Sequence, residues 1–179
     1  MVTERTVVVV GARREQVEAA VAPHGVATAH QAEQLGTAHA ALMARDALAD
    51  FDGTVIVAFG DSLYAGYNLP AGDGFAPVLE RALIAQGVPA QVVNAGVSGD
   101  TTAGGVSRLD WTLTPDVDAV IVTLGGNDML RGINPATSRA NLDTIVQTAT
   151  DASLPVLLVG MQAPGNYGPD YKASFDAIY

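Results

Sequence analysis

The sequence predicts an α/β fold in which a mostly parallel sheet is covered by helices on both faces. Short runs rich in β-branched residues alternate along the chain with longer stretches of helical period. The strand-like runs are apolar throughout, which is typical of strands that are buried on both faces of a parallel sheet. This pattern predicts a three-layer α/β/α sandwich.

The first part of the chain has two predicted strands and two predicted helices. Val7–Val10 is a β-branched run that predicts a strand at an edge of the sheet, and residues 26–29 predict a weaker one. Residues 15–22 have helical period, and residues 38–49 are rich in alanine without proline or glycine, which favours a helix. We therefore expect strand, helix, strand and helix in this order.

The rest of the chain predicts four further strands of one parallel sheet. Their apolar runs lie at residues 54–59, 91–93, 119–124 and 156–159. Residues 75–83 carry apolar side chains at the spacing of an amphipathic helix, which Gly87 closes. The apolar spacing of residues 142–149 predicts another helix, and residues 171–179 have the pattern of a helix that begins there.

The composition excludes several classes of function. Hydrophobic residues make up 49% of the 179 residues and charged residues 16%, a balance opposite to that of disordered chains. Nine Lys and Arg against 19 Asp and Glu give a net charge of −10, which argues against nucleic acid or an anionic membrane surface as a partner. Because there is no cysteine, disulfides, thiolate metal sites and a cysteine nucleophile are excluded.

Hydropathy predicts a soluble protein. No apolar run approaches the ~20 residues of a membrane span. The apolar stretch at Val7–Val10 is too short for a secretory signal. We therefore expect a cytoplasmic protein without membrane insertion.

Four short polar blocks follow predicted strands, at the sheet edge where α/β folds bind their ligands. They are residues 59–63 (Phe-Gly-Asp-Ser-Leu), 94–101 (Asn-Ala-Gly-Val-Ser-Gly-Asp-Thr), 125–128 (Gly-Gly-Asn-Asp) and 162–164 (Gln-Ala-Pro). Each block alone has the composition of an ordinary turn. Their occurrence together, each after a strand, indicates a functional site.

With these blocks, residues 55–179 resemble the SGNH (GDSL) serine hydrolases, in their arylesterase and multifunctional thioesterase/lysophospholipase branch. The resemblance is carried by residues 60–67, 98–102, 124–132 and 166–168. It implies the flavodoxin-like fold of that family. It also implies hydrolysis of a small acyl ester, a thioester or a lysophospholipid, with neither a cofactor nor a metal.

The resemblance assigns Ser62 as the nucleophile. It also assigns three oxyanion donors, namely the backbone N–H of Ser62, the backbone N–H of Gly99 and the side-chain amide of Asn127. Preorganised donors of this kind stabilise the tetrahedral oxyanion of acyl transfer; a glycine leaves its N–H accessible, and an asparagine donates without adding a charge. Asp61 and Asp128 are secondary site residues. For Asn127, a loop-capping role is the alternative.

The catalytic base of that family is missing from the sequence. A serine hydroxyl needs an adjacent base, and the family takes it from an Asp-x-x-His block near the C-terminus. The 179 residues contain no such block, and His24, His30 and His39 all precede Ser62. We expect the hydrolase part to be truncated and impaired, because an unrelated histidine would have to lie within about 3 Å of the hydroxyl.

The first part of the chain resembles a second family. Residues 7–11 and 31–40 look like the uridyltransferase domain of the bifunctional N-acetylglucosamine-1-phosphate uridyltransferase, a similarity that extends over about residues 7–60. The resemblance implies that Gln31, Gly36 and Thr37 contact the uracil and the sugar nucleotide. It also implies that Asp61 aligns with the metal-binding aspartate of that family. The family's basic, glycine-rich phosphate loop is absent, so we do not expect nucleotidyl transfer.

The two resemblances predict a chimeric chain. Its fragments are residues 1–58 and residues 59–179, packed as one α/β unit. Two alternatives to an ester hydrolase stay open, a fragment that binds UDP-N-acetylglucosamine and a catalytically inert α/β domain.

Overall fold

A computed structural model of the chain describes residues 7–10, 15, 18–19, 22, 27–30, 53–70 and 72–179. The chain divides into two compact units, Met1–Asp52 and Gly53–Tyr179. The boundary expected between residues 58 and 59 falls inside a strand of the second unit. The packing of the two fragments as one unit stays a prediction.

In the first unit, two short strands pair in parallel. Strand β1 (Val7–Val10) lies beside β2 (Ala27–His30), with Val7 opposite Ala27 and Val10 opposite His30. Residues 15, 18 and 19 between them are helical, as predicted. The expectation that β1 joins the edge of the larger sheet is wrong, because β1 pairs with β2 in a separate two-stranded sheet. An apolar run predicts a strand but does not determine its partner. The helix predicted at residues 38–49 lies outside the described residues.

The second unit contains the predicted parallel sheet. Its strands are β3 (Thr54–Gly60), β4 (Ala90–Gly96), β5 (Ala119–Thr123) and β6 (Val156–Leu158), in the spatial order β4-β3-β5-β6. All neighbouring strands run parallel. The chain passes from β3 to β4 on one side and then to β5 on the other. The carboxyl end of β3 is therefore a topological switch point, where open α/β sheets bind their ligands.

Six helices lie among the described residues of this unit. They are α1 (Ser62–Ala65), α2 (Phe75–Ala85), α3 (Thr102–Thr112), α4 (Gly126–Leu130), α5 (Pro135–Asp151) and α6 (Pro169–Asp176), with a 3₁₀ turn at Gly165–Tyr167. Helices α2, α5 and α6 confirm the predicted ones, and α1, α3 and α4 were not predicted. Within the described residues, no helix has the length and apolarity that a membrane span requires.

The helices cover both faces of the sheet, as the apolar strands predicted. Successive residues of a strand point to opposite faces, so β3 contributes to two separate apolar clusters. Val57 and Phe59 pack in a cluster with Ile145 of α5 and Phe175 of α6. The intervening residues of β3, Ile56 and Ala58, belong to a second cluster with side chains of α1 and α2. The α/β fold with its buried parallel sheet is thus confirmed.

Candidate active site

Ser62 lies in the first turn of α1, which begins directly after β3. The preceding residue, Asp61, is buried and caps this helix, because its Oδ1 accepts a hydrogen bond from the backbone N–H of Leu63 at 3.0 Å. Gly60 is required at the end of the strand, since a Cβ there would lie 2.7 Å from the ring of Tyr64. The turn presents a partly exposed Ser62 at the carboxyl edge of the sheet.

Helix α1 is held closely against β4. A Cβ at Gly96 would lie 2.6 Å from the carbonyl carbon of Tyr64 and would collide with the backbone of Ala65. The Tyr64 hydroxyl accepts a hydrogen bond from Thr123 Oγ1 at 2.6 Å, and its ring stacks on Phe75 with centroids 4.3 Å apart. Burial raises the pKa of Tyr64, while the Thr123 hydrogen bond opposes that rise. These contacts fix the position of the helix that carries Ser62.

The second polar block forms a tight turn after β4. The backbone N–H of Asp100 donates to the carbonyl of Val97 at 3.0 Å and closes the turn. Gly99 has φ of +81°, in the left-handed region that favours glycine. Its carbonyl accepts a hydrogen bond from Nη2 of Arg131 at 2.7 Å. The turn is thereby anchored from the end of α4.

The side-chain amide of Asn127 joins the first two blocks. Its Nδ2 donates to Oδ2 of Asp61 at 3.2 Å and to the carbonyl of Asp100 at 2.8 Å. Because both partners are acceptors, the nitrogen of the amide faces them and the oxygen does not. The structure thus places Asn127 beside the residue that precedes Ser62 and beside the residue that follows Gly99.

Asp128 is fully buried and joins helices. Its Oδ2 accepts from the backbone N–H of Thr102 at 2.8 Å, and its Oδ1 accepts from Thr102 Oγ1 at 2.6 Å and from Ser138 Oγ at 3.0 Å. These bonds tie the start of α3 and the first turns of α5 to α4. Asp128 therefore supports the position of Asn127 from within the protein.

The sequence did not indicate Arg108, whose guanidinium group bonds residues of the first two blocks. Its Nε pairs with Oδ2 of Asp100 at 2.8 Å. Its Nη1 and Nη2 donate to the carbonyls of Ala95 and Gly60, each at 2.9 Å. Two of these partners are backbone carbonyls, which no sequence pattern marks. The only feature of the sequence that could have indicated this role is an isolated arginine eight residues after Asp100.

The fourth block lies against α6. The backbone N–H of Ala163 donates to Oδ1 of Asp176 at 2.8 Å, and its carbonyl accepts from Nζ of Lys172 at 2.7 Å. Lys172 also pairs with Asp176 at 2.6 Å. The hydrogen bonds from Lys172 and Ala163 lower the pKa of Asp176. The backbone groups of Ala163 in this block are therefore bonded to side chains of α6, where they have a structural role.

Tyr179 packs beside the third block. Its hydroxyl donates to the carbonyl of Leu124 at 2.7 Å, and a Cβ at Gly160 would lie 2.8 Å from the Cβ of Tyr179. Burial raises the pKa of Tyr179, and the charges of Asp128 and Asp61 raise it further. The neutral phenol thus supports the backbone that leads to Asn127.

The remaining predicted site residues belong to the first unit. Gln31, Gly36 and Thr37 lie outside the described residues, as do His24 and His39. His30 is the last residue of β2.

Comparison with known proteins assigns the second unit. Residues 58–178 match the GDSL-like Lipase/Acylhydrolase family. The chain belongs to this family. It is 42% identical over 125 residues to Esterase TesA of Pseudomonas aeruginosa, a match that covers 69% of this chain and 62% of that protein. This member of the family thus spans about three fifths of the length of the curated relatives that it matches.

A solved structure agrees with this assignment. The crystal structure of AlinE4, an SGNH-hydrolase family esterase, aligns with a TM-score of 0.70 and 49% identity, over 72% of this chain and 69% of that one. The predicted GDSL family and its fold are therefore confirmed.

A shorter match is to a different protein. The chain is 61% identical over 57 residues to the Bifunctional protein GlmU of Rhizorhabdus wittichii, which is 32% of this chain and 13% of that protein. This match supports the prediction that the chain is chimeric.

Proposed function

We propose that this GDSL-family chain is a serine ester hydrolase with Ser62 as its nucleophile. The observation that carries the proposal is the placement of the Asn127 amide between Asp61 and the carbonyl of Asp100. Through these two bonds, the Gly-Asp-Ser turn, the turn that contains Gly99 and the start of α4 meet at one point.

In the proposed reaction, the Oγ of Ser62 attacks the carbonyl carbon of an ester or a thioester. The carbonyl oxygen becomes an oxyanion, which accepts hydrogen bonds from the backbone N–H groups of Ser62 and Gly99 and from one N–H of the Asn127 amide. Of the two hydrogen bonds of the Asn127 amide, the one to Asp61 is longer, at 3.2 Å against 2.8 Å. We expect the oxyanion to take that N–H, while the carbonyl of Asp100 keeps the amide oriented.

Collapse of the tetrahedral intermediate breaks the bond to the leaving alkoxide or thiolate and leaves an acyl group on Ser62. Water then attacks the acyl group and releases the acid. The 179 residues contain no Asp-x-x-His, and the three histidines of the sequence lie in the first unit. Loss of the serine proton to water or hydroxide is slow. We therefore propose that residues 1–179 hydrolyse activated esters slowly.

An exposed apolar side chain next to the nucleophile supports an acyl substrate. Leu63 follows the nucleophile directly and is 64% exposed. An apolar group of this size beside a nucleophile offers contact area to an acyl chain or an apolar leaving group. We propose small acyl esters and thioesters, including lysophospholipids, as the substrate class.

Covalent labelling tests the nucleophile. A p-nitrophenyl alkylphosphonate phosphonylates a nucleophilic serine with loss of p-nitrophenol, slowly where no base is adjacent, and its phosphonyl oxygen then takes the place of the oxyanion. We expect peptide mapping to find the label on Ser62, and we expect slower labelling in Asn127→Ala. Asn134→Ala is the matched control, because Asn134 caps α5 by accepting from Ala136 N–H at 3.0 Å. Label on another side chain, or equal rates in the two variants, contradicts the proposal.

The GlmU match favours a second candidate function. We propose that the first unit binds UDP-N-acetylglucosamine through Gln31, Gly36 and Thr37. A ligand that binds the native state alone raises the melting temperature. A rise that disappears in Gln31→Ala supports this function, and an unchanged melting temperature at millimolar nucleotide contradicts it.

A further inference from the structure

Arg108 connects the segment that carries Ser62 with the segment that carries Gly99, and it reaches the Asn127 amide indirectly through Asp100. Its guanidinium group bonds the carbonyl of Gly60 at the end of β3, the carbonyl of Ala95 near the end of β4, and the carboxylate of Asp100. Gly60 is two residues before Ser62, and Asp100 directly follows Gly99. The carbonyl of Asp100 in turn orients the amide of Asn127.

The surroundings of Arg108 make its geometry rigid. Its side chain is 16% exposed, and its Cζ lies 4.0 Å from the centroid of the buried Phe59 ring. A guanidinium group is planar and presents its donors in a fixed fork, so three bonds, one to Gly60 and two to the block of residues 94–101, fix the relative positions of these two segments. A lysine carries the same charge at a single point and cannot reach all three acceptors.

The fold makes room for this arrangement. A Cβ at Gly104 would collide with the carboxylate of Asp100. The glycine thus lets the carboxylate lie over the first turn of α3, where it also accepts from the backbone N–H of Thr101 at 3.1 Å. Arg108 lies in the second turn of the same helix, and its Nε pairs with Oδ2 of Asp100.

We infer that Arg108 is a positioning residue, which sets the distance between the Ser62 turn and the Gly99 turn and thereby aligns the oxyanion donors. It contacts no substrate and acts through Gly60, Ala95 and Asp100. This inference rests on the proposed function, because it concerns the same site.

The test compares Arg108→Lys with two other variants. Arg139→Lys is the matched control, because Arg139 is an exposed arginine that also donates to a backbone carbonyl, that of Ala177 at 2.7 Å. Asp100→Asn weakens the same connection without altering Arg108, and it replaces Arg108→Lys if that variant does not fold. The phosphonate counts the reactive serines in each preparation, so the rate of p-nitrophenyl acetate hydrolysis is expressed per reactive serine.

We expect Arg108→Lys to lower the maximal rate per reactive serine by about tenfold or more, because misplaced oxyanion donors stabilise the transition state less. The KM should change little, and the amide resonance of Gly99 should shift. Arg139→Lys should stay within about twofold of the wild type. A purely structural role changes the number of reactive serines and leaves the rate of each unaltered.

Two results overturn the inference. The first is a rate per reactive serine in Arg108→Lys within about twofold of the wild type. The second is an unshifted Gly99 resonance. Failure of the underlying function is recognised separately, because Ser62→Ala would then hydrolyse the ester as fast as the wild type.

Discussion

The carboxylate of Asp61 accepts a hydrogen bond from the side-chain amide of Asn127 at 3.2 Å, across 66 residues of sequence. The same carboxylate caps α1 through the backbone N–H of Leu63 at 3.0 Å. One buried side chain therefore holds the turn that carries Ser62 and the amide assigned to the oxyanion.

Asp61→Ala should impair both stability and ester hydrolysis. Loss of the helix cap should lower the free energy of unfolding by about 1 kcal/mol. Hydrolysis should also slow, because the turn that carries Ser62 loses the cap that holds it in place. Urea unfolding and p-nitrophenyl acetate hydrolysis measure the two effects. Asn134→Ala, which removes the cap of α5, should lower stability to a similar degree and leave hydrolysis unchanged. Equal hydrolysis in both variants would contradict the assignment.

Asp128→Ala should destabilise the fold strongly. The substitution leaves the backbone N–H of Thr102 and the hydroxyls of Thr102 and Ser138 without their buried acceptor. Each unpaired buried donor costs about 1–3 kcal/mol, so we expect a loss of about 3 kcal/mol or more in urea unfolding. Asp143→Ala is the control, since Asp143 is exposed and lies 3.9 Å from Arg139. A loss in Asp128→Ala as small as in the control would show that the buried bonds are dispensable.

Gly96→Ala should displace α1 from β4. The added methyl would lie 2.6 Å from the carbonyl carbon of Tyr64, a backbone atom that cannot move alone. We expect a lower melting temperature and slower phosphonylation of Ser62. Gly165→Ala should leave both unchanged, because the space around Gly165 is open within 4 Å. A Gly96→Ala protein with wild-type labelling would mean that α1 tolerates displacement.

Alkaline pH should destabilise the second unit through Tyr179. Its pKa is raised in the folded protein, chiefly by burial, so its contribution to stability is complete below the usual tyrosine pKa. That contribution is lost as pH rises from about 10 toward the folded value, by about 1.4 kcal/mol per pH unit. Tyr64 and Tyr171 also have raised pKa values, so they add to the decline.

Urea unfolding between about pH 8 and about pH 11 measures this effect. Tyr179→Phe should reduce the decline in the free energy of unfolding at the alkaline end. Tyr67→Phe is the control, because the Tyr67 side chain is 68% exposed. The same decline in Tyr179→Phe as in the wild type would contradict the role given to burial.

The four-stranded sheet was predictable because the runs that form its strands are largely apolar. The central strands β3 and β5 are mostly buried, whereas Leu157 of the edge strand β6 is 57% exposed. The approach of residues 60–63 to residues 125–128 was predictable for a related reason, since the carboxyl ends of parallel strands meet at one edge. The partner of β1 was not predictable. An apolar run of four residues favours a strand but carries no signal for the neighbour it pairs with.

Helix α3 was missed because Gly104 and Gly105 lower the intrinsic helix propensity of its first turns. Tertiary contacts override that propensity. The side chain of Thr101 caps the helix at Gly104 N–H, and a Cβ at Gly105 would lie 2.5 Å from Leu124 Cδ1. Close packing of this helix therefore requires the residue that disfavours it locally. Arg108 was missed with the helix that carries it.

The turnover of p-nitrophenyl acetate by residues 1–179 tests the account most directly, when compared with Ser62→Ala and with a variant in which His24, His30 and His39 are alanine. We predict hydrolysis that depends on Ser62, that is unaffected by the loss of the three histidines, and that is far slower than the about 1–10³ s⁻¹ of ordinary enzymes. Two results would contradict the account. One is equal hydrolysis in Ser62→Ala. The other is turnover in the ordinary range that is lost with the histidines, which would mean that the first unit supplies the base.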